Sequence, residues 1–135
     1  MTKPAHIFLS YATADRAFVA RLAKEIAKAG ARPFVAADLK LKVGEQIFAQ
    51  LRRELASSDL VVFIVPSQEG EGRWALAEVG AARALDKNIL AILPDRARYS
   101  NSTFLRSLTD RPMVDATGVS LSHLANTIVS SASAH

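Results

Sequence analysis

With 135 residues and a mass of 14.5 kDa, the chain has the size of one ordinary domain and leaves no room for a second full-sized one. Half of its residues are apolar and 22% are charged, a balance that excludes a disordered tail and fits a buried core. The net charge of +4 comes from 17 basic and 13 acidic residues. They form no run of five or six like charges, so ordinary solvated lysines and arginines account for it and a nucleic-acid stripe is not expected.

The longest apolar run, Leu60 to Val65, is six residues, far short of the roughly 20 needed to span a bilayer. The start, Met1-Thr2-Lys3-Pro4, leads into a strand-like segment with no apolar signal helix. There are no cysteines, and the three histidines, His6, His123 and His135, are scattered beyond any local metal spacing. The expectation is one cytoplasmic domain over residues 1–135, without metal, membrane contact or direct nucleic-acid contact. A mildly basic face of that domain would still steer an anionic small ligand.

Ile7-Phe8-Leu9, flanked by polar residues, reads as a first buried strand. From Asp15, the positions Phe18, Val19, Leu22, Ala23, Ile26 and Ala27 fall on one face of a 3.6-residue period. Thr13 or Asp15 can cap this helix, and Gly30 stands where a left-handed residue ends it. Pro33 to Ala36 is a second short strand with proline at its beginning. Residues 38–44 show no period. Ile47, Phe48, Leu51 and Leu55 mark a second helix, ended by Ser57-Ser58-Asp59. Leu60 to Val65 is apolar on both faces, as a central parallel strand is.

A polar loop over 67–73 precedes an alanine-rich helix from Trp74 to Leu85. Ile89 to Leu93 is a fourth strand, stopped by Pro94-Asp95. Residues 96–111 read as a loop with a short helix near Phe104 and Leu108. Pro112 to Asp115 is a weak fifth strand, Gly118 breaks the chain and Ser120 can cap a last helix carrying Leu121, Leu124, Ile128 and Val129. Residues 130–135 read as a frayed end or the start of a linker. Alternating strands and helices with short connections imply an α/β three-layer sandwich around a mainly parallel five-stranded sheet. Such sheets bind ligands at the carboxyl ends of their strands, so the loops after the first three strands are the place for chemistry.

Those loops exclude several functions. The turn Ser10-Tyr11-Ala12-Thr13-Ala14-Asp15 contains no glycine, and both dinucleotide fingerprints and P-loops need glycines for backbone amides to approach phosphates. A receiver domain would carry acidic residues after strand one and an aspartate at the end of strand three, where this chain has Ser10-Tyr11 and Val65-Pro66-Ser67. No Gly-x-Ser-x-Gly elbow offers a hydrolase nucleophile.

The informative pair is Trp74 and Glu78, four apart and so on one helix face. By spacing alone, a tryptophan sealing the helix onto the core beside a solvated glutamate accounts for it. The wider pattern adds to it. Ile7-Phe8-Leu9-Ser10-Tyr11, then Phe34 to Leu39 with Gly44-Glu45, Ser57-Ser58-Asp59 before an apolar strand, Trp74 to Glu78, and Lys87-Asn88-Ile89 occur in that order. Over residues 5–95 this set resembles a Toll/interleukin receptor (TIR) domain of the bacterial NAD-cleaving type.

The resemblance implies a flavodoxin-like fold with strand order 2-1-3-4-5. It implies an NAD glycohydrolase or cyclase that cleaves the nicotinamide-ribosyl bond, in bacterial immune signalling or cell-suicide defence, with NAD as substrate and no cofactor. Glu78 falls at the position of the catalytic glutamate. The segment from Asp38 to Glu45 corresponds to a loop that shapes both the pocket and self-association, and a sensor domain or protein would activate the assembly. Glu78 is therefore the candidate catalytic residue, and Ser10, Tyr11, Asp38, Lys40, Gly44 and Trp74 are the candidate substrate-binding set. Within that set Asp38 can bind a ribose hydroxyl or cap its loop, Lys40 can approach a pyrophosphate or stay solvated, and Tyr11 can contact substrate or pack on the first helix. Two rival readings stand beside it: a catalytically silent TIR signalling scaffold, and a nucleoside deoxyribosyltransferase-like enzyme.

Overall fold

The computed structural model describes residues 4–11, 15–35, 52–65, 86, 88–95 and 113–133. These hold β1 (His6–Ser10), α1 (Arg16–Lys28), β2 (Arg32–Val35), β3 (Leu60–Ile64), β4 (Ile89–Leu93) and β5 (Met113–Asp115). Residues 52–57 are helical and are labelled α2, and Leu121–Ser133 forms α3. The five strands make one parallel sheet in the order β2-β1-β3-β4-β5. The structure thus has the α/β flavodoxin-like arrangement that the sequence implies.

Burial agrees with this order. Every residue of β3 and β4 is buried, as is β1 from Ile7 onward, which suits strands covered by helices on both faces. The edge strands β2 and β5 are half-buried or exposed. β2 starts one residue earlier than expected, at Arg32, so Pro33 is its second residue rather than its first, paired with Ile7. Its neighbour Arg32 donates its N–H to the Ala5 carbonyl at 2.8 Å, so by strand alternation the nitrogen of Pro33 faces away from β1, where the missing N–H breaks no ladder bond.

α1 buries Val19, Leu22 and Ile26, the i, i+3, i+7 stripe of an amphipathic helix. Asp15 occupies its N-cap position but makes no side-chain cap bond, and Thr13 lies outside the described residues. The far end is a Schellman motif. Gly30 donates to the Ala27 carbonyl at 3.1 Å and Ala31 to that of Ile26 at 3.2 Å, with Gly30 at φ +95°. α1 packs against α3. Because β2 lies on one side of β1 and β3 on the other, right-handed crossovers put α1 and α2 on opposite faces of the sheet.

α2 ends as the two serines predict. The hydroxyls of Ser57 and Ser58 both donate to the Glu54 carbonyl, satisfying an oxygen that the last helical turn leaves without an intrahelical partner. Asp59 then enters β3. At the other end of the chain, Ser120 caps α3: its Oγ accepts the His123 N–H at 3.2 Å and its carbonyl the Leu124 N–H at 2.9 Å. Asp115 Oδ1 accepts from the N–H and the hydroxyl of Thr117 at 3.0 and 2.6 Å, and Gly118 follows at φ +72°.

β5 covers Met113–Asp115, the described part of the expected fifth strand. One expectation needs correction. The last helix does not fray or become a linker at residue 130; it continues to Ser133, and Ala132 is buried. The helix expected from Trp74 to Leu85 and the region 96–111 lie outside the described residues.

Candidate functional site at the carboxyl edge of the sheet

The direction in which the chain winds across the sheet reverses at β1 and β3: one connection leaves β1 for β2 on one side, and the next returns past β1 to β3 on the other. In open α/β sheets a crevice forms outside the carboxyl ends of such a strand pair. Ser10 is the last residue of β1 and Tyr11 follows it, so these two members of the predicted set stand at the switch point. Ser10 is in register with Phe63 of β3.

Ser10 is fully buried, and its Oγ has no hydrogen-bond partner among the described residues. Tyr11 is buried in the core cluster with Ile7, Leu9 and the strand residues around them. Phe8, two residues before Ser10, meets Phe34 with ring centroids 5.4 Å apart in a tilted arrangement, fixing the β1–β2 contact behind the site.

α1 starts at Arg16, just beyond this edge, with no acidic residue in its first turn. The positive end of the helix dipole therefore points to the same end of the sheet as Ser10, and it favours negative charge there, part of which the N-cap residue Asp15 supplies. β4 closes with Pro94 and Asp95, both half-buried, adding a carboxylate at this edge. Sequence reasoning read that pair only as a strand stop, because Pro-Asp after an apolar run is an ordinary turn signal; the strand order is what brings it to the ligand end.

Asp38, Lys40, Gly44, Trp74 and Glu78 lie outside the described residues. Among the described residues no cluster of His, Asp or Glu is arranged to hold a metal ion, and no helix is long and apolar enough to cross a membrane.

The sequence matches the family model for the TIR domain over residues 7–126. No curated protein matches it. Among solved structures, it is similar to the CMP N-glycosidase BcmB of Clostridium botulinum, at 14% identity and a TM-score of 0.63, covering 91% of this chain and 96% of that one. The TIR domains of the activated Roq1 resistosome match at 21% identity and a TM-score of 0.54, covering 94% of this chain and 84% of theirs. A 2-desoxyribosyltransferase from Leishmania mexicana matches at 16% identity and a TM-score of 0.54, over 72% of each chain. At these identities the likeness is one of fold.

Proposed function

The chain belongs to the TIR-domain family, and from that premise we propose that it is an enzyme cleaving NAD at the nicotinamide-ribosyl bond. The products are nicotinamide and ADP-ribose or a cyclic isomer of it. The observation that carries this reading is the pair Trp74 and Glu78, an aromatic and a carboxylate one helical turn apart in sequence, inside the matched span. A CMP N-glycosidase and a desoxyribosyltransferase with the same fold support it, since both names describe work on a glycosyl group.

One carboxylate suffices for this reaction. An ordinary glycoside needs an acid to protonate its leaving group and a second carboxylate at the sugar carbon. Nicotinamide in NAD is already cationic: it departs with the electron pair of the C–N bond and leaves neutral, so no proton donor is required. The remaining demand is the positive charge that grows on the ribosyl carbon. An ionised Glu78 meets it by placed charge and by hydrogen bonds to the ribose hydroxyls. Trp74 provides an aromatic wall. Water then attacks the same carbon and gives its proton to solvent, or a hydroxyl or the adenine of the same molecule attacks and closes a ring.

The pyrophosphate of NAD suits the positive end of α1 and Arg16, with Lys40 as a further cation and Asp38 and Gly44 shaping the loop that follows β2. In this reading the whole of 1–135 is one TIR unit acting in the cytoplasm, with self-association through residues 38–45 and activation by a sensor domain or protein. The test is to incubate concentrated protein with NAD, and separately with deoxynucleosides, and to identify products by mass. Nicotinamide release is expected. Base exchange on deoxynucleosides with NAD untouched would support the transferase rival, and no turnover of either would support a silent scaffold.

A further inference from the structure

We infer that the Ser10 hydroxyl is a substrate-binding group held unsatisfied in the free domain and completed by an uncharged hydrogen-bonding group of the ligand. The inference rests on the NAD-cleaving reading and assigns a residue to its specificity. Two independent observations support it. The first is chemical: Ser10 is fully buried and its Oγ has no partner among the described residues, although the large majority of buried side-chain polar atoms in folded proteins are paired. An apolar residue of the same size would fill that volume without leaving a donor and an acceptor unmet. The second is positional: this hydroxyl stands at the end of β1, at the reversal of strand order, the end of the sheet where such folds take their ligands.

The surroundings decide the class of partner. Ser10 is registered with Phe63 on β3 and shares its face of the sheet with Phe8, two residues earlier, and both are buried core residues. Phosphate carries charge that such a setting penalises. A hydroxyl that both donates and accepts suits a neutral group with the same capacity, which in NAD means a ribose hydroxyl or the nicotinamide carboxamide. Because Ser10 has no exposed surface in the free domain, the contact also requires the strand end to open on binding. The unmet hydroxyl favours the opened, ligand-completed state over the closed one.

The experiment compares wild type, Ser10→Ala and Ser10→Cys for melting temperature without ligand, for KM and kcat on NAD, and for binding of nicotinamide and of ADP-ribose. The expected result is a Ser10→Ala domain that melts at or above the wild-type temperature, because an unsatisfied group has been removed. Its KM rises about threefold to tenfold, the worth of one neutral hydrogen bond, while kcat changes less than twofold. Ser10→Cys, close in volume and a weaker donor, falls between the two. Weakened binding of nicotinamide alone identifies the carboxamide as the partner, and weakened binding of ADP-ribose alone identifies a ribose hydroxyl. A Ser10→Ala variant with wild-type KM and binding overturns the inference, whether its melting temperature rises or falls. A wild type that leaves NAD intact overturns the enzyme reading itself, so the two failures are distinguishable.

Discussion

Asp59 holds His6 at two points: its backbone N–H donates to the His6 carbonyl at 2.8 Å, and its carboxylate Oδ2 accepts the His6 N–H, also at 2.8 Å. The clamp fixes the start of β1 against the entry to β3, the two strands that flank the switch point. Its side-chain half is solvent-exposed, which limits its worth to about 1 kcal/mol. Asp59→Ala is expected to lower the melting temperature by roughly 3–6 °C, with Asp59→Asn, which keeps an acceptor oxygen, losing less than half of that. Calorimetry on the three proteins checks it.

Glu78→Gln removes the charge and keeps the shape of the side chain. On the proposed mechanism it loses the stabilisation of the ribosyl cation, and NAD cleavage should fall by a factor on the order of 10² to 10³, comparable to losing one preorganised electrostatic group elsewhere. Circular dichroism and melting should be unchanged. Undiminished nicotinamide release from a folded Glu78→Gln protein would remove Glu78 from the mechanism.

Leu39, Leu41 and Val43 alternate with polar residues between Asp38 and Glu45, a segment that the sequence reads as a loop, and apolar side chains in such a segment call for a partner. If that partner is a second copy, specific activity should climb with protein concentration or with an artificial clustering tag, and Leu41→Asp should flatten the climb without unfolding the monomer. Activity proportional to enzyme over a hundredfold dilution, in wild type and variant alike, would mean that the domain works alone.

Asp86 has φ +56°, a left-handed conformation that costs a side chain roughly 1 kcal/mol relative to glycine. It lies three residues before Ile89, the first residue of β4. Asp86→Gly should therefore raise stability by about 0.5–1 kcal/mol, visible as a higher denaturant midpoint with an unchanged slope. Gly30→Ala is the mirror experiment: at φ +95° a Cβ would meet no atom within 4 Å, so any loss of stability there comes from backbone strain and not from a clash.

The strands were legible because burial on both faces writes itself as an uninterrupted apolar run, as in Leu60 to Val65. α1 was legible because its stripe and the glycine after it agree. α3 was read short for a definite reason. Its inward stripe continues as Leu124, Ile128 and Ala132, but an alanine among serines carries no hydropathy contrast. Asp15 shows a different limit, since composition says which residue is able to cap and not whether its side chain turns toward the helix. Strand order was beyond periodicity altogether, because β1 neighbours β3 across residues that share no local pattern, and it came from the family resemblance.

For the site, the strand-end rule located Ser10 and Tyr11 from sequence. It could not reveal that the Ser10 hydroxyl is sealed in without a partner among the described residues, a property of what packs around it. Asp95 was missed because its meaning depends on which strands lie beside β4. The roles of Trp74 and Glu78 rest on their spacing and on the family.

The outward-facing nitrogen of Pro33 bears on how copies of this domain can accumulate safely. An exposed sheet edge is a template for a foreign strand, and a row of free N–H groups is what an incoming chain needs in order to grow on it. On β2 that row is interrupted at its second residue, with the charged Arg32 beside it. Crowding copies together, as clustering-dependent activity would demand, then carries less risk that they fuse edge to edge into an irreversible fibre, and association is directed toward helical faces and loops, where it can be undone.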